Sequence, residues 1–457
     1  MKLTFYGGTG SVTGANFFVE HTDSEGKSLK ILIDCGMLQG VETADAFNSE
    51  PFPYNPEEID YLLVTHGHID HIGRIPKLVK DGFKGKIIST PPTKDIALLL
   101  LEDTFEIMQS KARKNGTLAL FEKGDIEKAM SLWGTCEFHK NCDLGAGISI
   151  YLRDSGHILG SAMIEVSDGK IKAVFTGDLG NSPSLLLNDT EEITDANYII
   201  MESVYGDRNH EPKDERRRKL KETIYNTIIN KRCLIIPAFS LERTQMILYE
   251  MNEFFEHKEL SSLPVFLDSP LAIKITKIYE KYSNYLNENI RKQIDSGDDI
   301  FKFPRLKSTP FSQDSARIEM TANPKIIIAG SGMSSGGRIV HHEKDHAGDR
   351  NATILLVGYQ ALGTLGRQLE DGAKKVTIHG EEIEVRAKII KIEGYSSHKD
   401  SDHLVSFVEK AAEAGTLKKV FAVMGEPKSA SFLVQRLHNE IGVNGEFPEY
   451  GKSVTLE

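Results

Sequence analysis

Thr65-His66-Gly67-His68-Ile69-Asp70-His71 is the stretch on which the reading turns. It follows the apolar run Tyr61-Leu62-Leu63-Val64, which predicts a strand, so its polar residues lie on a loop at a strand end. With 15 histidines in 457 residues, three at these offsets arise by chance with a probability of roughly 4 × 10⁻⁵ per starting position, before the aspartate is required. Two imidazoles two residues apart converge on one ion from an extended stretch. Asp70 and His71 then face a second ion as the chain turns into the next helix. Neutral imidazole and carboxylate are the ligands of a hydrolytic Zn²⁺ site.

Two further segments match. Ser155-Gly156-His157 follows the strand-like Ile148 to Leu152 and supplies another imidazole. Thr176-Gly177-Asp178 ends the apolar run from Lys172 with a carboxylate suited to bridging two cations. A lone histidine is by residue type a surface or core group; its context beside the His-rich segment makes His157 a ligand candidate. One feature misleads. Gly8, Gly10 and Gly14 hint at a dinucleotide loop, but that fingerprint needs a helix directly afterwards. Asn16-Phe17-Phe18-Val19-Glu20 reads as a strand instead, so the glycines predict a turn between two strands.

Short apolar runs recur along the whole chain. They include Lys30 to Asp34, Tyr198 to Glu202, Leu234 to Pro237, Lys325 to Gly330, Thr353 to Gly358 and Val420 to Gly425. Helical stretches lie between some of them, which gives the layered α/β class. Ser269-Pro270 predicts an N-cap followed by proline at the first helical position. Ile275, Ile278, Tyr279 and Tyr282 then form one apolar stripe. Ser240 precedes a helical pattern containing Met246, Ile247, Met251 and Phe254, and the spacing Leu220, Ile224, Ile228 is helical too. No low-complexity linker separates units, which fits one domain inserted in another.

Composition bounds the partners and the compartment. The 55 Lys+Arg against 66 Asp+Glu leave a net charge of −11, which argues against a generic nucleic-acid binder held by a global basic field. Met1 to Phe18 has no long apolar core, so no signal peptide is expected. The greasiest run, near Ile96 to Leu101, is far shorter than the roughly 20 residues a membrane span needs. Cys35, Cys136, Cys142 and Cys233 have neither zinc-ribbon spacing nor the density of a disulfide scaffold, and read as reduced thiols of a cytoplasmic protein.

These residues, in this order, resemble the metallo-β-lactamase superfamily: His66-x-His68-x-Asp70-His71, then His157, then Asp178. Asp34, closing Ile31-Leu32-Ile33-Asp34, matches the family's first acidic motif, which orients metal ligands. The resemblance implies a four-layered αββα sandwich. Ile236 to Gln245, Phe266 to Ala272 and Ala329 to Arg338 are similar to hallmarks of the β-CASP subgroup, which acts on nucleic acids. The fold expected is therefore α/β: a metallo-β-lactamase sandwich with an inserted α/β β-CASP domain. Residues 1–207 are its first part, 208–370 the insert, and 371–457 the returning part with the RNA-metabolising motif. No KH-type extension is seen before the first predicted strand, which resembles the compact bacterial or archaeal form.

The subgroup's acidic motif A matches Glu202, and its motif C matches His398 in Gly394-Tyr395-Ser396-Ser397-His398. A histidine there is typical of RNA-acting members. The resemblance implies two Zn²⁺. His66, His68 and His157 serve one, Asp70, His71 and His398 the other, and Asp178 bridges them. Asp70, Glu202 and His398 are the catalytic candidates. One departure stands out: motif B places a histidine where this chain has Gln368. His341 and His342 lie near in sequence and are candidate substitutes. The glycine loop, with Ser331, Gly332, Gly336 and Gly337, is a candidate phosphate cradle, and Arg338, Arg243 and Arg367 are candidate sources of charge. The expected function is zinc-dependent, endonucleolytic cleavage of single-stranded RNA in the cytoplasm, with no membrane partner and with a homodimer left open. Two rivals are a small-molecule metallohydrolase of the thioesterase or lactonase type and a non-catalytic RNA-binding subunit.

Overall fold

Alternation along Ile148–Asp154 shows how the chain builds its layers: Ile148, Ile150 and Leu152 are buried, while Ser149, Tyr151 and Arg153 between them are half-buried. Period-two burial of this kind places one face of a sheet on a core. In the computed structural model, which describes residues 1–457 apart from the side chain of Lys213, the predicted apolar runs become strands. The chain divides into two compact units, residues 1–209 with 397–457, and residues 210–396.

The first unit holds two seven-stranded sheets. One runs in the order Ser453–Thr455, Lys2–Phe5, Phe17–Thr22, Ser28–Ile33, Tyr61–Leu63, Lys86–Ser89, Trp133–Thr135. The other runs Gly445–Glu446, Lys419–Val423, Tyr198–Glu202, Lys172–Phe175, Ala162–Ser167, Ile148–Asp154, Asn141–Gly145. Leu3, Phe5, Val19, Ile31 and Ile33 from the first share a core with Ile150, Leu152, Ile164, Val166 and Phe175 from the second. Each such side chain contributes roughly 1.5–3 kcal/mol on full burial. Helices cover the outer faces. Leu404, Val408, Leu433 and Leu437, on Ser401–Ala412 and Pro427–Ile441, pack on Met163, Val174, Ile199 and Met201. Pro91–Asn115 buries Ile96, Ala97 and Leu101 beside the other sheet; Thr90 caps its start and Gly116, in the left-handed region, ends it. The result is the expected αββα sandwich. Gly7 to Gly14 form the turn between the first two strands, with no helix after it.

The second unit carries a six-stranded, all-parallel sheet: Leu306–Ser308, Val265–Leu267, Lys325–Ala329, Cys233–Pro237, Ala352–Val357, Lys388–Ile392. Its central strands are buried throughout, as parallel strands covered on both faces must be. The predicted helices are present at Lys213–Ile229, Arg243–Glu256 and Pro270–Lys281, and the Ser269 hydroxyl accepts from Ala272 N. The expected boundary at residue 370 is corrected. Lys388–Ile392 pairs with Ala352–Val357, from Thr353 opposite Lys388 to Val357 opposite Ile392, so the insert closes at Ser396. The expectation of four reduced thiols is corrected as well: Cys136 and Cys142 form a disulfide, brought together by the short connection between Trp133–Thr135 and Asn141–Gly145. Cys35 and Cys233 are free and buried. Among the described residues, no helix is long and apolar enough to cross a membrane.

An ion network braces the second unit. Glu319 faces His346 Nε2 and Lys325 Nζ, each at 3.0 Å. Asp268, wholly buried, accepts from His342 Nε2 at 2.7 Å and Arg338 Nη1 at 2.7 Å. Burial works against the charged form of His346, but hydrogen bonds with Cys233 and Glu319 outweigh it and hold the imidazolium up to about 9. A raised folded-state value means stability that is complete below the unfolded histidine pKa and is lost as pH climbs through about 9. The unfolding temperature of this unit should therefore fall between pH 7 and pH 10. Glu319→Gln should flatten that slope in a series of thermal melts; equal slopes in parent and variant would remove the network as its cause.

Candidate metal centre

The carboxyl ends of strands in the two sheets bring the predicted residues together. Asp34 follows Ser28–Ile33, His66 and His68 follow Tyr61–Leu63, His157 follows Ile148–Asp154, Asp178 follows Lys172–Phe175, and Glu202 ends Tyr198–Glu202. After His68 the chain enters a short helix, Ile69–Ile72, with Asp70 and His71 in its first turn. A side chain on Gly36 would lie 1.5 Å from the Asp70 carbonyl oxygen, so glycine is required for the two loops to meet.

Asp34 organises the ligand loop. Its Oδ1 accepts from Thr65 N at 2.8 Å and its Oδ2 from the Thr65 hydroxyl at 2.7 Å. The same Oδ2 lies 2.7 Å from His71 Nδ1, which leaves His71 Nε2 to face the cluster. Thr65 Oγ1 also stands 3.0 Å from His66 Nδ1. His157 Nδ1 is 3.2 Å from the Ser397 carbonyl oxygen, and Ser161 Oγ accepts from His157 N.

Four donor atoms then converge. His68 Nδ1 is 3.1 Å from His66 Nε2 and 3.2 Å from His157 Nε2. Asp178 Oδ2 is 3.4 Å from both His66 Nε2 and His157 Nε2. An ion bonded at zinc–nitrogen lengths of about 2.0–2.1 Å needs tetrahedral donors about 3.3 Å apart. These four meet that spacing. A second group lies beside them: Asp178 Oδ1 is 3.5 Å from His71 Nε2, and Asp70 Oδ2 is 3.9 Å from the same nitrogen. His71 Nε2 and Asp178 Oδ1 are both buried with no hydrogen-bond partner. Two buried polar atoms face to face without a hydrogen bond cost free energy unless a cation joins them, which fits a metal-binding cavity. His398 Nδ1 lies 3.1 Å from Glu202 Oε2 and 3.9 Å from Asp178 Oδ2.

Protonation follows from burial and charge. Burial lowers His66, and lowers His68 and His157 well below the ordinary imidazole range, so all three are neutral and ready to ligate. Burial also opposes charge on His71 and His398, but Asp178 and Asp34 outweigh it at His71, and Glu202 and Asp178 raise His398 to about 10.

Sequence reading missed two supports. Thr65 precedes the motif in plain view. Lys399 does not announce itself: its buried ammonium donates to the Gly180 carbonyl at 2.9 Å and the Ser182 hydroxyl at 3.2 Å. Gly180 also pairs with His398 as an isolated β-bridge, so the Asp178 and His398 segments are joined twice.

In the second unit the candidate charges find other work. Arg243, 9% exposed, gives Nη1–H to the Val357 carbonyl at 2.8 Å. Arg338 is held by Asp268 and by the Thr309 and Pro310 carbonyls. Through these bonds both guanidiniums tie loops together. Arg367 pairs with Asp371 one helical turn on. In the glycine loop, Ser331 N donates to Gly336 O and Ser331 Oγ pairs with Ser335 Oγ, while Gly337 adopts a positive φ. His342 is bound to Asp268, while the exposed His341 has its ring centroid 4.8 Å from that of His379. Gln368 is exposed on the helix Leu365–Glu370.

Comparison with known proteins accords with this layout. A metallo-beta-lactamase superfamily domain matches residues 25–203, a Beta-Casp domain residues 244–369, and a Zn-dependent metallo-hydrolase RNA specificity domain residues 382–448. Ribonuclease TTHA0252 of Thermus thermophilus is 32% identical over 409 residues, covering 90% of this chain and 91% of that protein. Transcription termination factor FttA of Pyrococcus horikoshii is 31% identical over 471 residues, covering 100% of this chain and 71% of the factor. A protein of unknown function from Enterococcus faecalis V583 shares the fold, with a TM-score of 0.55 at 13% identity over 99% of both chains.

Asp34→Ala should weaken binding of a divalent metal by about 10- to 100-fold, the usual cost of losing a carboxylate that orients a ligating imidazole. Competition with a chromogenic chelator measures this. An unchanged affinity would show that Asp34 does not set His71.

Proposed function

The chain belongs to the β-CASP ribonuclease family of the metallo-β-lactamase superfamily, and on that premise we propose that it is a two-zinc ribonuclease that cuts single-stranded RNA internally, in the cytoplasm and without a membrane partner. Membership implies dependence on metal. The observation that carries the zinc assignment is the donor set itself: a ring of four atoms, each 3.1–3.4 Å from its two neighbours, with the orphaned pair His71 Nε2 and Asp178 Oδ1 at 3.5 Å beside them.

In this reading His66, His68 and His157 would hold one ion, Asp70, His71 and His398 the other, and Asp178 would be shared between the two. Bound zinc supplies Lewis acidity at a phosphoryl oxygen and hydroxide at neutral pH. The protein's own residues do the rest. Asp34 holds His71 by its Nδ1, leaving Nε2 as donor. Glu202, wholly buried, accepts at His398 Nδ1 and fixes that imidazole. Gln368 carries an amide with no titratable proton, so the motif B position supplies no general acid in this chain.

The RNA reading is preferred over a thioesterase or lactonase because the relatives match across the inserted unit and the RNA specificity region, not the sandwich alone. The chain spans 91% of the Thermus ribonuclease against 71% of the Pyrococcus factor, so ribonuclease action leads over a termination role. A non-catalytic role is disfavoured by the intact donor set.

Chelation should abolish cleavage of RNA labelled at both ends, zinc should restore it, and internal fragments should appear before mononucleotides. His68→Ala should lower the rate by about a hundredfold or more, since it removes a ligand to the Lewis acid. Full activity in protein verified as metal-free would overturn the mechanism.

A further inference from the structure

All six strands of the 210–396 unit are parallel, so the loops after their carboxyl ends gather at one edge, where open α/β sheets take their ligands. Phe239 follows the strand Cys233–Pro237. The glycine loop follows its neighbour Lys325–Ala329, and Tyr359 follows its other neighbour Ala352–Val357. Phe239 is 37% exposed and Tyr359 50%. Large rings are usually withdrawn from water, so two at one sheet edge call for a partner.

Neither ring-bearing loop is slack. The Phe239 carbonyl accepts from Thr244 Oγ1 at 2.7 Å and from Thr244 N at 3.2 Å. The Phe239 ring rests on Gly332, where a β-carbon would come within 2.6 Å of ring atom Cδ2, so only glycine admits this packing. Buried Gln360, next to Tyr359, donates Nε2–H to the Gly332 carbonyl at 3.1 Å. Arg243 pins the end of the preceding strand through Val357 O. Ser240 and Ser269, with hydroxyls 3.2 Å apart, lie beside Phe239 in the sequence and at the next strand end.

We propose that Phe239 and Tyr359 are a stacking platform for the bases of single-stranded RNA, a role that rests on the ribonuclease reading above. Every base offers a π face, so such a platform serves an enzyme that must accept many sequences. Rings held in place lose little freedom on binding. Charge argues the same way. The chain is net acidic at −11, and Arg243 and Arg338 are spent on carbonyls and on Asp268. Stacking must therefore carry affinity that phosphate contacts do not, and binding should depend weakly on salt. A docked protein would need an apolar area well beyond two rings.

The test uses the full-length, metal-loaded protein and fluorescence anisotropy. The probes are a phosphorothioate oligouridylate, which resists cleavage, and an abasic oligomer of equal length. The parent should bind the oligouridylate about tenfold or more tighter than the abasic probe, and Phe239→Leu and Tyr359→Leu should each lose about tenfold on the former and nothing on the latter. Tyr359→Trp should restore binding. If Phe239→Leu fails to fold, Tyr359→Leu at the more exposed position decides. Leucine variants that bind like the parent, or that lose equally on both probes, would overturn the platform and leave the ribonuclease reading standing. A parent that neither binds nor cleaves RNA would overturn that reading and the platform with it.

Discussion

Asp178 turns Oδ2 toward His66 and His157, 3.4 Å from each, and Oδ1 toward His71 at 3.5 Å. Three loops from two sheets thus meet on one carboxylate that is 3% exposed. Burying such a charge costs several kcal/mol unless opposite charge and hydrogen bonds offset it. The sandwich core provides the setting: its two apolar faces hold the strand ends in register, and the polar loops have nowhere to go but toward each other. Asp34 and Glu202 extend the arrangement outward, each fixing one imidazole by its Nδ1. The orphaned atoms of the cluster carry a cost that a bound cation would relieve.

The second unit uses buried charge differently. Asp268 and Glu319 each bind several cationic or hydroxyl partners, and the result is a braced frame rather than a ligand cavity. Guanidiniums that could have met phosphate hold carbonyls instead. What this unit offers to solvent at the carboxyl edge of its sheet is aromatic surface and glycine backbone. A net-acidic protein that met a polyanion through such groups would trade long-range attraction for contact at short range.

Legibility followed the range of the interactions. The histidine segment reads directly because its ligands are neighbours in sequence and its spacing has a mechanical meaning. His157 and Asp178 read through their positions at the ends of apolar runs, and His398 through its match to a family motif. Lys388–Ile392 hid because an edge strand with exposed lysines lacks the continuous apolar signature of its neighbours. Arginine chemistry serves a phosphate and a carbonyl equally well, so only packing shows what Arg243 and Arg338 hold within the fold. Cys136 and Cys142 misled because two thiols in a short connection carry no mark of whether they are joined.

Taken alone, the sequence pointed to the α/β class, the insertion of one domain in another and six of the seven candidate ligands, because periodicity and short spacing are local properties; the seventh, His398, came from resemblance to a family motif. Tertiary structure decided which imidazole nitrogen faces the cluster, that Lys399 ties two segments more than 200 residues apart, where the insert ends, and which side chains at its sheet edge stay exposed. Those outcomes depend on contacts between residues distant in sequence. A hydrogen-bond partner across a sheet, or a ring seated on a glycine, exists only once the strands have been brought side by side.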